Sequence, residues 1–163
     1  MNDVWKALVE DFSDLPDAGQ VTRVVVRLVL AAVLGGVLGY ERERKGKGAG
    51  MRTYMLISAG SALFAMVPQL AHMSDDAVSR VLQGLAAGVG FLGAGPILKR
   101  EQQGEVHGLT TAAGIWMAAA IGMAAGLGRE VTAILGAGLA FVILALLPHI
   151  DHPADPKPEQ VRV

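Results

Sequence analysis

The stretch that decides the fold is "GLTTAAGIWMAAAIGMAAGLG", Gly108–Gly128, where no Asp, Glu, Lys or Arg interrupts a run of apolar and small residues. About 20 such residues are what a helix needs to cross a hydrocarbon core about 30 Å thick. Thr53–Ala71 and Val81–Leu98 read the same way and are also free of charge. Val21–Tyr40 is a fourth run, interrupted by Arg23 and Arg27, and Val131–Pro148 is a shorter fifth. In a chain of 163 residues that is 52% hydrophobic, with a mean hydropathy of +0.44, five such runs leave too little polar sequence to wrap them in water. Backbone groups in hydrocarbon must be satisfied within their own segment, and the alternation of a strand is absent, so the spans are expected to be helices. The expected fold class is all-α, a polytopic membrane bundle of five transmembrane helices.

Working outward, residues 1–20 are expected to stay outside the bundle. Val4, Trp5, Leu8 and Phe12 recur at helical spacing against Asp3, Glu10, Asp11 and Asp14, the pattern of a short interfacial helix. The start lacks a basic n-region, so it does not read as a cleaved signal peptide, and the first span is expected to serve as its own anchor. Residues 21–148 form the bundle and 149–163 a Pro-rich tail, in which His149, Asp151 and His152 resemble metal ligands but read as a solvated linker. Orientation follows the distribution of Lys and Arg in the connections. One side carries Arg42, Arg44, Lys45, Lys47, Arg52, Lys99, Arg100, Lys157 and Arg162, the other only Lys6, Arg80 and Arg129. The amino terminus is therefore expected outside and the tail in the cytoplasm, with Tyr40 and Tyr54 as interfacial aromatics. A net charge of −1 gives no broad basic face for nucleic acid, and the absence of Cys excludes disulfides and thiolate chemistry. No nucleophile, base and orienting group share a face, so an enzyme is not expected, nor is a cofactor.

Small residues let helices approach closely in lipid, and Gly35-x-x-x-Gly39, Gly84-x-x-x-Gly88 and Gly122-x-x-x-Gly126 have the required spacing. "GLAAGVG" at Gly84–Gly90 also returns as "GMAAGLG" at Gly122–Gly128. One close antiparallel contact between the two copies is one reading, and a chance likeness in Gly/Ala-rich sequence the other. Gly93-Ala94-Gly95-Pro96 is expected to kink or break the third span. Gly90, Gly93 and Gly95 join the other glycines as candidate packing positions.

Among polar residues, Arg27 lies inside the first span, where it either snorkels outward or turns into the bundle to meet free carbonyls or a partner's acid. Thr110 and Thr111 open the fourth span and are expected to cap free amides or bond across helices. Glu41 and Glu43 follow the first span's carboxyl end, where the helix dipole disfavours negative charge, and Arg52 opens the second span, a poor place for a cation. A glycine-rich turn, Gly46–Gly50, returns one end to the other, so Arg52 is the expected partner of Glu41 or Glu43.

At this point the residues resemble a known family. Gly39 with Glu41-Arg42-Glu43, Ala49-Gly50 with Arg52-Thr53, Gly90-Phe91-Leu92-Gly93-Ala94-Gly95 and Gly108-Leu109-Thr110-Thr111-Ala112-Ala113 occur in the order seen in the MgtC/SapB family of small bacterial inner-membrane proteins. The likeness runs from Arg27 to Leu127, and Pro96 departs from the small or aliphatic residue usual there. Larger members add a soluble cytoplasmic domain, so the sequence reads as a short form. The resemblance implies a multi-pass inner-membrane protein linked to growth in low magnesium and to survival inside host cells. It also implies action by binding and restraining the F-type ATP synthase. Candidate partners are the bilayer, such a membrane complex and a second copy of the chain. The alternative is a homo-oligomeric carrier or channel, with Pro96 and Arg27 along its path. Magnesium prefers octahedral oxygen ligands, and no acid lies inside the five spans, which argues against direct transport.

Overall fold

The structure is a computed structural model and describes residues 2–11, 13, 17–98 and 108–147. Phe12, Asp14, Lys99, Arg100, His149, Asp151, His152, Lys157 and Arg162, used above for the amphipathic segment, the orientation and the tail, lie outside the described residues. Within them the chain is helical and without strands: α1 (Asn2–Asp11), α2 (Ala18–Arg44), α3 (Met51–Leu70), α4 (Asp75–Leu98), α5 (Leu109–Gly126) and α6 (Glu130–Leu146). α2, α3, α4 and α5 are each long and apolar enough to cross a membrane, whereas α6 is a shorter apolar helix. This is a helical membrane protein.

Local chemistry sets the ends. α2 begins at Asp17, whose carboxylate accepts the Gln20 N–H at 2.7 Å and satisfies one of the helix's free donors. It ends at Arg44, beyond Tyr40, and the chain reverses through Gly46 and Gly48, both with positive φ, into α3. α4 continues through Pro96 to Leu98, so the expected break is not formed. The proline deletes one backbone bond, to the Leu92 carbonyl, and the turns before it stay helical.

α2 and α3 run antiparallel, Gly35 meeting Tyr54 and Gly39 meeting Met51, α5 runs in the same direction as α3, and α5 lies at the centre against α2, α3, α4 and α6. The interior is made of small residues. Ala31, Ala62, Ala118, Ala119 and Ala125 are buried, while Leu56, Phe64, Phe91 and Leu135 point outward. That is the arrangement lipid favours, because close backbone packing rather than water exclusion holds the helices together. A Cβ added at Gly122 would strike the carbonyl oxygen of Ser58, and one at Gly126 that of Ala62. On α2, a Cβ at Gly35 would come within 2.6 Å of the Tyr54 carbonyl oxygen, and one at Gly39 within 2.6 Å of Met51 Cα. So α3 is clasped between a glycine face of α2 and a glycine face of α5.

The other glycines differ. Gly93 makes only ordinary contact with Ala112, at 3.6 Å, and Gly84, Gly88, Gly90 and Gly95 have nothing within 4 Å. Of the two readings of the repeated GxAAGxG, the close contact between Gly84–Gly90 and Gly122–Gly128 is not formed, and α5 turns its glycines to α3 instead. Helical geometry gives the reason. α4 packs inward through Leu85, Val89 and Gly93, a stripe at i, i+4 and i+8, which leaves Gly84 and Gly88 rotated about 100° away.

Candidate functional site

Polar side chains gather where α2 and α6 end and α3 and α5 begin. Because α2 stays helical through Arg44, Arg42 lies one turn beyond Leu38 and two beyond Gly35, on the stripe that faces α3 and α5. Glu41 and Arg42 are consequently 6% and 5% exposed. Arg42 Nη2 donates to Thr111 Oγ1 at 3.2 Å, and its Nη1 lies 4.0 Å from Glu41 Oε2. Lys45, one turn on, places Nζ 2.7 Å from Glu41 Oε1 but off the line of a hydrogen bond. Both Glu41 oxygens and Arg42 Nε are thus buried without a hydrogen-bond partner among the described residues. Lys45 Nζ also donates to the carbonyls of Leu144 and Ala145 at 3.1 and 3.3 Å, where the negative end of the α6 dipole favours a cation.

The turn closes over this cluster. Gly48 has φ 55° and no room for a Cβ, which would lie 2.9 Å from Thr111 Cγ2, so both backbone and space require glycine there. Tyr54 is fully buried rather than interfacial, its hydroxyl pressed onto Gly114 and making a long bond, 3.5 Å, to the Thr111 carbonyl. Thr111 is buried and bonds across helices, while Thr110 is exposed. The N-cap of α5 is Gly108, so neither threonine caps it.

The expected pairing of Glu41 or Glu43 with Arg52 is not formed. Arg52 is exposed and makes no ion pair among the described residues. Glu43 Oε2 instead accepts the Met51 N–H at 2.9 Å. The helix dipole explains the exchange, since the amino end of α3 attracts Glu43 and repels Arg52, and Lys45 and Arg42 already compensate Glu41. Sequence reasoning treated Lys45 only as an anchoring charge. Its signal was legible as a Glu-to-Lys pair at i, i+4, the favoured order on a helix.

At the opposite end, Arg27 turns inward. Its Nη1 donates to the Gly126 carbonyl at 3.2 Å, and its Nε lies 3.4 Å from Glu130 Oε1, so the acid it meets is the chain's own. Arg23, one turn earlier, stays exposed. Glu130 falls between two apolar spans, where no local pattern marks it, although an acid in the first turn of α6 is well placed for the dipole.

Chemically, the first cluster ties α2, α5 and α6 together through one buried cation–anion network and holds the α2–α3 turn against α5. Its charges are mutually engaged, which makes Glu41 a poor ligand for a further cation. Among the described residues no group of three or more His, Cys, Asp or Glu side chains could hold a metal ion. Arg44, Lys47 and Arg52 remain exposed on and beside the turn, a basic surface.

The comparisons with known proteins agree with one another. The model of the MgtC family matches residues 28–152. Protein SrpB of Synechococcus elongatus is 46% identical over 130 residues, covering 73% of this chain and 71% of that protein. YhiD of Escherichia coli (strain K12), named as a proposed magnesium transporter, is 45% identical over 74% of this chain and 58% of its own length. Protein MgtC of Brucella abortus (strain 2308) is 38% identical over 72% of this chain and 48% of its own length. The chain thus spans between about half and seven-tenths of these relatives. No solved structure gives a significant match.

Proposed function

The chain belongs to the MgtC family, and from that premise we propose that it is a regulatory interaction protein of the bacterial inner membrane, linked to magnesium limitation and membrane energetics. In this reading all five apolar helices cross the membrane, with the amino terminus outside and the tail in the cytoplasm. The α2–α3 turn then faces the cytoplasm. The observation that carries the proposal is the buried Glu41–Arg42–Thr111 network. Burying an ion pair costs several kcal/mol per ion before compensation, so it is weak as a stabilising device. What the network does do is hold one turn in one shape, with Arg44, Lys47 and Arg52 displayed on it. A fixed basic surface beside the membrane suits an acidic face on a larger membrane complex. The F-type ATP synthase is the partner that the family resemblance implies.

The name of the Escherichia coli relative favours a second reading, a magnesium carrier. Against it, α3 is gripped backbone to backbone by α2 and α5, and Glu41 and Glu130 are engaged by Lys45, Arg42 and Arg27. A photo-crosslinking residue at Lys47 in native membranes should capture a membrane complex, and purified protein in liposomes should pass no more Mg²⁺ than empty vesicles. Flux above that level without a cross-link would replace this reading with the carrier.

A further inference from the structure

At the end of the bundle away from the charged turn, a cavity of about 110 Å³ opens between the first turns of α2 and the last turns of α3. Its polar walls are Gln20, Arg23, Arg27 and Gln69, over an apolar floor of Met66 and Leu70. The volume has room for a few water-sized groups, far below the ~300 Å³ at which small-molecule pockets begin. It suits a compact head rather than a cofactor.

The lining carries Arg23 and Arg27 and no acid. Arg27 is offset by Glu130 at 3.4 Å, but Arg23 has no ion pair among the described residues. Asp17, the acid on the neighbouring turn, spends a carboxylate oxygen on the Gln20 N–H at 2.7 Å. Asp17 keeps its charge, but neither it nor Glu130, Asp75 or Asp76 is among the cavity's walls. Within the walls, Arg23 is the arginine with no ion pair among the described residues, and it is the group placed to attract an anion. Gln69 contributes differently. Its Nε2 donates to the Ala65 carbonyl at 2.8 Å and lies 3.4 Å from that of Gly126, which leaves Oε1 as a hydroxyl acceptor. Arg23 stands five residues into α2, about 7.5 Å along its axis at 1.5 Å per residue, near the depth of lipid headgroups when α2 crosses the bilayer.

We propose that this cavity is a binding site for the phosphodiester headgroup of an anionic, hydroxyl-bearing phospholipid, with Arg23 holding the phosphate and Gln69 accepting a headgroup hydroxyl. Basic pockets between membrane helices are suited to such heads, because a guanidinium offers the paired donors a phosphate accepts. The lipid would join α2 to α3 at the end of the bundle remote from their connecting turn. The inference rests on the bilayer placement of α2 and α3 and not on any partner of the basic turn.

The test is thermal unfolding of the purified protein in neutral detergent. Phosphatidylglycerol should raise the midpoint by about 4 °C, as a ligand bound well above its dissociation constant does for a chain of this size. Phosphatidylcholine and inorganic phosphate should leave it unchanged. Arg23→Gln should lose the phosphatidylglycerol shift, whereas Arg80→Gln, which removes one charge outside the cavity, should keep it. Equal shifts with both phospholipids, an equal shift with inorganic phosphate, or equal losses in the two variants would each overturn the site. If Arg23→Gln does not fold, native mass spectrometry of the unmodified protein mixed with equal amounts of the two lipids decides. Phosphatidylglycerol should be retained at least tenfold over phosphatidylcholine, and equal retention overturns the proposal.

Discussion

Gly84–Gly90 of α4 and Gly122–Gly128 of α5 spell GLAAGVG and GMAAGLG, yet one copy faces open space and the other lies on a neighbouring backbone. Half of the apolar window of α5 is buried inside the protein, against 11% of that of α4. The difference lies in the neighbours. α5 is surrounded by four helices and meets α3 on its glycine stripe, while α4 has α3 and α5 on one side and presents Leu85 and Val89 to them. Glycine at i and i+4 permits close approach but does not select it, and the stripe that packs is set by where the rest of the helix can bury volume.

The largest expected effect comes from breaking this asymmetry at its tight end. Gly122→Leu puts a branched side chain where a single Cβ would already strike the Ser58 carbonyl. Overpacking by single methylenes typically costs ~1–3 kcal/mol, and a leucine against backbone exceeds that, so the variant should fail to give folded protein. Gly84→Leu, the same change in the other copy, should leave the unfolding midpoint in detergent within about 2 °C of the parent. Equal losses from the two would mean that α4 also packs on its glycines.

A smaller effect tests whether α5 is held by helix packing alone or also at its end. Arg42 ties α2 to Thr111 of α5, and its removal leaves Glu41 buried with only Lys45 beside it. Stripping one partner from a buried pair costs about 3–5 kcal/mol, and the remaining lysine keeps Arg42→Ala at the lower end of that range. Thr111→Val should cost about 1 kcal/mol through the lost bond. Arg52→Ala, at an exposed position without an ion pair among the described residues, should change stability by less than about 0.5 kcal/mol. Urea or thermal unfolding in one detergent ranks all three, and a destabilised Arg52→Ala would revive its pairing with Glu41 or Glu43.

These cases also show what could be read in advance. The helices were legible because hydrocarbon leaves the backbone no alternative, and the starts and ends of α3 and α5 fall within two residues of the expected spans. α2 was underestimated at its charged end. Hydropathy stops at Tyr40, but the helix runs on because Arg42 and Lys45 find acceptors on α5 and at the end of α6. Those acceptors come from residues far along the chain, as does the Glu130 that meets Arg27, and no local pattern announces them. The exchange of Arg52 for Met51 N–H as the partner of Glu43 follows from the dipole once the facing ends of α2 and α3 are taken together. At Pro96 the described helix continues to Leu98, so the break half of the kink-or-break expectation is not met there.

The smallest expected effect is the sharpest test of the comparison, because its sign differs between the copies. Alanine for glycine removes backbone freedom from the unfolded chain and favours the helix by ~0.5–1 kcal/mol when the added methyl has room. At Gly88 nothing lies within 4 Å, so Gly88→Ala should raise stability slightly. At Gly126 the same methyl would strike the Ala62 carbonyl, and since backbone cannot step aside as a flexible side chain can, Gly126→Ala should lower stability by ~1–3 kcal/mol. Repeating the Gly88→Ala measurement over a tenfold range of protein-to-detergent ratio adds a further discrimination. A gain independent of that ratio leaves α4 facing lipid. A loss that grows as the protein is concentrated would mean that a second copy covers the α4 glycines, and both copies of the motif would then be packed, one within the chain and one between chains.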